Sequence, residues 1–208
     1  MKLNFRGLIA PVLTPMTNDG SYNILLGDIP RYAKFLASKG VNGILVNGTS
    51  GEGPSLTLAE RKATTKAWVD AVKQTKQHLM VQVGGTCLKD VEELATHAEN
   101  IGSDSLLCLP ELFNKPATVE DLVRYLKIVG KAAPNTPLLY YHNPSYTGVR
   151  INMPQFLEAA ASNIPTFAGI KFTDTNIDEG TQCLLVQKET CIFLGLRSGS
   201  CWCFHIRY

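Results

Sequence analysis

A short apolar run, a Gly- or Pro-containing loop and then an amphipathic stretch recur along the chain, and this alternation constrains the fold more than any other feature. Runs read as strands fall at residues 8–13, 41–46, 79–83, 105–109, 138–142, 167–172 and 191–194. Between them lie stretches with helical spacing at 29–38, 57–77, 89–101, 118–133, a short helix capped by Asn152, and 176–187. Thr57-Leu58-Ala59-Glu60 reads as a capping box, and Gly40 as a helix terminator. Strands that alternate with helices of this length predict a parallel sheet built from βαβ units. Six full units with a seventh beginning favour a (β/α)₈ TIM barrel over an open doubly wound sheet. The first strand is not followed by Gly-x-Gly-x-x-Gly, which argues against a dinucleotide-binding fold. A complete barrel of this kind takes ~250 residues, so 208 residues predict an incomplete α/β barrel of about seven strands.

Composition narrows the function classes. The chain is 45% hydrophobic and 18% charged, with a formal charge of +2, as expected of a globular protein with a real core. Lys and Arg are dispersed, so neither a nucleic-acid footprint nor a polybasic membrane patch is read. The polar start at 1–6 and the lack of a run near the ~20 apolar residues of a spanning helix predict a cytoplasmic protein without membrane partners. Cys87, Cys108, Cys183 and Cys191 are widely spaced and read as free thiols, not a disulfide framework. Cys201-Trp202-Cys203-Phe204-His205 lacks the second ligand pair of a structural zinc site, so no metal is assigned to it. His78 and His97, on helix-like segments, are expected at the surface.

Barrel enzymes carry their chemistry where strands end and βα loops begin. Three such ends hold unusual residues: Asn47-Gly48-Thr49-Ser50-Gly51-Glu52-Gly53, Tyr140-Tyr141-His142-Asn143-Pro144 and Gly169-Ile170-Lys171-Phe172-Thr173-Asp174. Plain alternation puts Phe167, Gly169, Lys171 and Thr173 on one face of their strand, and Ala168, Ile170 and Phe172 on the other. The second set suits the helix side, so Lys171 and Thr173 are predicted to point into the barrel mouth. An ammonium buried there loses hydration, its pKa falls, and the free amine is a nucleophile for ketones. Tyr141 lies on the opposite face from Tyr140 and His142, and a phenol beside that amine can move a proton. Thr49 and Ser50 offer hydroxyls and open backbone N–H groups suited to a carboxylate. Glu52 is read as fixing that loop.

In this order, Pro11-Val12-Leu13-Thr14-Pro15, Gly48-Thr49-Ser50-Gly51-Glu52, Tyr141 with Pro144, and Gly169-x-Lys171 resemble the class I aldolase family of N-acetylneuraminate lyase and dihydrodipicolinate synthase. The resemblance covers about residues 8–195. It implies that Lys171 forms an imine with the C2 ketone of pyruvate or a 2-keto acid, that Tyr141 transfers protons, and that Thr49 and Ser50 hold the substrate carboxylate. Thr173 is implied to contact the sugar part of the substrate. The family implies no metal or organic cofactor, a small-molecule substrate, and assembly as a homotetramer. Pro144-Ser145-Tyr146-Thr147-Gly148 lacks the arginine of the synthases, and Leu112-Phe113 stands where they carry a tyrosine shared across a dimer. Both departures, with Tyr140-Tyr141-His142 and Thr147-Gly148-Val149, look closer to the animal-type lyase branch, which cleaves N-acetylneuraminate, a sialic acid, to N-acetylmannosamine and pyruvate. Another pyruvate-dependent aldolase and a non-catalytic form are the alternatives.

After Gly195 the pattern departs. The family's Gly-x-Asp-Glu/Gln segment and strand eight are not found in Leu196-Arg197-Ser198-Gly199-Ser200 or beyond. A barrel domain at 1–195 and a non-family tail at 196–208 are therefore expected, from a changed reading frame or alternative splice, with little lyase turnover.

Overall fold

The structure is a computed structural model. It describes residues 1–186, 190–198 and 201–203, giving backbone only for 196–198 and 201–203. Seven strands form one sheet in the order β1-β2-β3-β4-β5-β6-β7. They are β1 Ile9–Pro11, β2 Gly43–Val46, β3 His78–Gln82, β4 Ser105–Cys108, β5 Leu138–His142, β6 Phe167–Phe172 and β7 Cys191–Leu194. Every neighbouring pair is parallel. Helices α1 (Ile29–Ser38), α2 (Leu58–Thr75), α3 (Leu88–Asn100), α4 (Val119–Ala132), α6 (Met153–Asn163) and α7 (Ile177–Val186) connect them. A sheet in strict chain order with such crossovers curls in one direction, with the helices on its convex side. The result is an incomplete (β/α) barrel, as the alternation predicts. Strand and helix ends shift from the expected ones by a residue or two, except that β1 is shorter and α5 (Pro144–Thr147) is additional.

Strand alternation sorts the apolar side chains into two cores. Ile44, Val46, Leu79, Val81, Leu106, Leu138, Tyr140, Ile170 and Phe172 face outward onto Trp68 of α2, Leu126 of α4 and Phe156 of α6. Ile9, Leu45, Met80, Leu107, Leu139, Tyr141, Ala168 and Phe193 face inward and fill the barrel. Helix α2 starts where the sequence marks it: the Thr57 hydroxyl accepts from Glu60 N–H, and Glu60 reaches back to Thr57 N–H. The N-terminal segment forms a floor beneath the strands' N-terminal ends. Met1 N donates to Pro165 O at 2.9 Å, Leu3 enters the inner core, and Cys191 Sγ donates to Leu3 O at 3.1 Å. Phe5 lies on the His78 ring with centroids 4.5 Å apart.

Two expectations are corrected. His78 is not a surface helical residue: it opens β3, is largely covered, and bonds Ser105 Oγ through Nε2 at 2.8 Å. Burial pushes its pKa down to about 4. The parity at the start of β6 is also different. Phe167 joins the outer core and Ala168 the inner one, because the pairing of β5 with β6 skips from Leu138↔Phe167 to Leu139↔Gly169. That irregularity is a β-bulge, which adds one residue and resets the alternation.

At the other end of the sheet, β1 pairs only with β2 and β7 only with β6 within the seven strands. Residues Leu196–Ser198 (β8) and Cys201–Cys203 (β9) form a separate antiparallel pair, and β9 lies against β1. The side chains of the Cys201–Cys203 segment, and His205 altogether, lie outside the described residues. Cys87, Cys108 and Cys183 are free thiols, only Cys87 among them exposed. No helix among the described residues is long and apolar enough to cross a membrane.

Candidate active site

Lys171 comes from β6 and points into the barrel, at 3% exposure. Gly169, two residues earlier, makes this possible. It sits in the bulge at φ +152°, and a Cβ there would lie 1.8 Å from Cys191 O on β7. Only glycine lets the two strands approach so closely while the chain kinks. Beyond the bulge, Lys171 stands in register with Tyr141 on β5 and Phe193 on β7.

The Lys171 Nζ lies 3.8 Å from the centre of the Tyr141 ring. Burial holds its pKa well below the ordinary lysine range. Burial therefore favours the uncharged amine, the nucleophilic form, over the ammonium. The Tyr141 hydroxyl shares a 3.3 Å hydrogen bond with Thr49 Oγ1 and accepts another, also 3.3 Å, from Asn143 Nδ2. Burial pushes the phenol above its ordinary value, while the Thr49 and Asn143 hydrogen bonds act in the opposite direction. The phenol thus keeps its proton near neutral pH while staying hydrogen-bonded at the point of transfer.

The loop after β2 brings Thr49 to that hydroxyl. Asn47 turns the chain at φ 57° and anchors it through Nδ2, which donates to Arg61 O at 3.1 Å and Thr65 Oγ1 at 3.0 Å. Thr14 Oγ1 donates to Gly51 O at 2.6 Å, tying the loop to the segment after β1. Gly53 packs so tightly that a Cβ would sit 1.9 Å from Asn47 O. Glu52 holds a left-handed turn through its backbone, with its side chain exposed. Beneath the loop, buried Arg61 donates from Nη2 to Gln82 O at 2.8 Å and Gly84 O at 3.2 Å, closing the C-terminal end of β3. Desolvation lowers its pKa to about 10, so it remains a cation at neutral pH.

Thr49, Tyr141 and Lys171 are thus brought into one contact chain. Ser50 is half-buried on the same loop, without a hydrogen bond to that chain among the described residues. Thr173 follows Lys171 at the mouth; its N–H donates to His142 O at 2.8 Å, and its buried hydroxyl acts on the Tyr141 phenol in the same direction as Thr49 and Asn143. Asn143, Asn47, Arg61 and Gln82 support the site, although the sequence reading gave them no role. Asn143 stood in a quoted motif, immediately before Pro144. Arg61 carried a signal too, since its place on α2 falls among residues that pack on the sheet.

The sequence pattern of the dihydrodipicolinate synthetase family matches residues 4–200. N-acetylneuraminate lyase of Pongo abelii is 41% identical over 184 residues, 88% of this chain and 57% of that protein. N-acetylneuraminate lyase B of Xenopus laevis is 40% identical over 185 residues, 88% of this chain and 69% of that protein. Among solved structures, Proteus mirabilis N-acetylneuraminate lyase superposes with a TM-score of 0.85 at 34% identity, covering 90% of this chain and 63% of that one. The chain therefore spans less than two thirds of the length of most of these relatives.

Proposed function

The chain belongs to the dihydrodipicolinate synthetase family, and from that membership we propose that it carries the Schiff-base chemistry of an N-acetylneuraminate lyase, with Lys171 as nucleophile. The observation that carries this reading is the buried Lys171 amine, its pKa lowered by that burial, held against Tyr141, whose hydroxyl is hydrogen-bonded to Thr49. The amine attacks the C2 ketone of a 2-keto acid, and loss of water leaves an iminium. Tyr141 gives its proton to the departing water, and the phenolate left behind takes the proton of the C4 hydroxyl as the C3–C4 bond breaks and the electron pair moves into the iminium to give an enamine. The aldehyde leaves as N-acetylmannosamine. Protonation of the enamine at C3 and hydrolysis then release pyruvate and regenerate the amine.

Thr49 and Ser50 hold the substrate carboxylate in this reading, and Thr173, buried at the mouth, contacts the sugar. No step calls for a metal or organic cofactor. Division into a barrel at 1–195 and a tail at 196–208, cytoplasmic residence and homotetrameric assembly complete the proposal. A second reading, another pyruvate-dependent aldolase, is favoured by one observation. The contact chain of Lys171, Tyr141 and Thr49 serves any 2-keto acid, and nothing in it selects a sugar.

Incubation with pyruvate and sodium borohydride, followed by peptide mass spectrometry, tests the central assignment. A reduced pyruvate adduct on Lys171 is expected, with none in Lys171→Ala. An adduct that survives the substitution removes Lys171 from the role. Pyruvate release from N-acetylneuraminate, measured beside a panel of other 2-keto acids, separates the two substrate readings.

A further inference from the structure

His142, the last residue of β5, points away from the barrel interior and is 2% exposed. Neither Nδ1 nor Nε2 has a hydrogen-bond partner among the described residues. An imidazole buried in this way gives up its bonds to water without replacing them, at a cost to stability. Its edge looks onto two carboxylates from other elements. Asp174 Oδ2, in the β6–α7 loop, is 3.7 Å from Nε2, beyond hydrogen-bond reach. Glu179, in the first turn of α7, supplies a further oxygen, and the donor atoms of the three residues lie within 4.8 Å of one another.

Both carboxylates are already oriented. Thr175 N–H donates to Asp174 Oδ1 at 2.6 Å, and Met153 N–H donates to Glu179 Oε1 at 2.9 Å. Backbone bonds of this kind hold metal ligands in place. We propose that His142, Asp174 and Glu179 form a binding site for a first-row divalent transition cation of the zinc and cobalt type. One imidazole nitrogen with two carboxylate oxygens suits such ions, whereas calcium and magnesium favour all-oxygen sites. Ligands about 2.0–2.1 Å from a tetrahedral ion stand roughly 3.3 Å apart, so binding draws the three side chains inward. The ion joins β5, the β6–α7 loop and α7 into one clasp outside the barrel.

Arg150 is the group that opposes this. Its Nη1 lies 3.9 Å from Asp174 Oδ2, and it supplies the positive charge that the carboxylates meet without an ion. The side chain is 73% exposed, so it can swing into water when an ion enters. Removing it should therefore tighten cation binding.

The test uses the full chain carrying Cys201→Ser and Cys203→Ser, so that tail thiols do not compete. Cobalt(II) is titrated with visible absorption, and zinc(II) is followed by calorimetry and thermal unfolding. Expected are saturable cobalt d–d bands without thiolate charge transfer, displacement by zinc, and a zinc-dependent rise in Tm. Asp174→Asn should weaken binding at least tenfold, Glu179→Gln should weaken it too, and Arg150→Ala should strengthen it. Circular dichroism checks that each variant is folded, and Asp174→Asn and Glu179→Gln alter less buried groups in case His142→Gln does not fold. Absence of saturable binding by the folded chain, or equal affinity in folded Asp174→Asn and Glu179→Gln, overturns the proposal. The outcome is independent of whether Lys171 forms an imine.

Discussion

At the residue scale, the site is an account of what burial does to one lysine. In the unfolded chain a lysine keeps its proton to a pH of about 10.4; in the folded chain Lys171 loses it far below. Between those values the unfolded state binds more protons, so stability rises with pH, and the penalty is gone above the unfolded value. Lys171→Met should be more stable than the parent at pH 7. The difference should shrink as pH approaches 10, which urea unfolding midpoints across that range will show. Tyr141→Phe keeps the ring under the amine and removes the proton carrier. Turnover is expected to fall ~10²–10⁴-fold, while borohydride trapping of pyruvate persists; retention of both would remove Tyr141 from proton transfer. The inward aim of Lys171 was legible from alternation, although Phe167 and Ala168 exchange faces at the bulge. That bulge depends on how β5 pairs with β6, which one strand's sequence does not display. The hydrogen bond from Asn143 to Tyr141 was equally hidden, since it depends on how the chain turns at Pro144.

At the scale of elements, punctuation in the sequence did much of the work. The capping box at Thr57, Asn152 before α6 and the apolar runs of β2 to β7 all carry local physical causes, and the elements stand there. His78 was misread because the covering ring of Phe5 is distant in sequence. The four-residue α5 is too short to show a helical period. Two substitutions test how firmly elements are set. Gly169→Ala forces a methyl into Cys191 O at an unfavourable φ, and should cost on the order of 3 kcal/mol or more, with loss of the pyruvate adduct. A stable, trappable variant would show that the β6–β7 approach is not essential. Thr57→Ala should cost about 1 kcal/mol in chemical denaturation and leave the adduct unchanged, because the cap lies outside the site.

At the scale of the molecule, two cores share one sheet, and the inner one is closed from below by the chain's first residues. Leu3→Ala removes a side chain from that floor and should cost about 2–4 kcal/mol by thermal or denaturant unfolding. A negligible change would mean that the floor does not hold the inner core. Such closure was not legible in the sequence: residues 1–6 read as a polar start, and only the gathered strand ends give Leu3 a place to go.

The same floor has a bearing on how the chain reaches its native state. The bond from Met1 to Pro165 spans 164 positions, and that from Cys191 to Leu3 spans 188. Neighbouring βα units can assemble from nearby partners, but contacts of such range carry the loop-closure entropy that slows folding. On a ribosome that delivers the N-terminus first, Leu3 must wait for β7 to emerge. The residues of this floor are therefore among the last to find their neighbours.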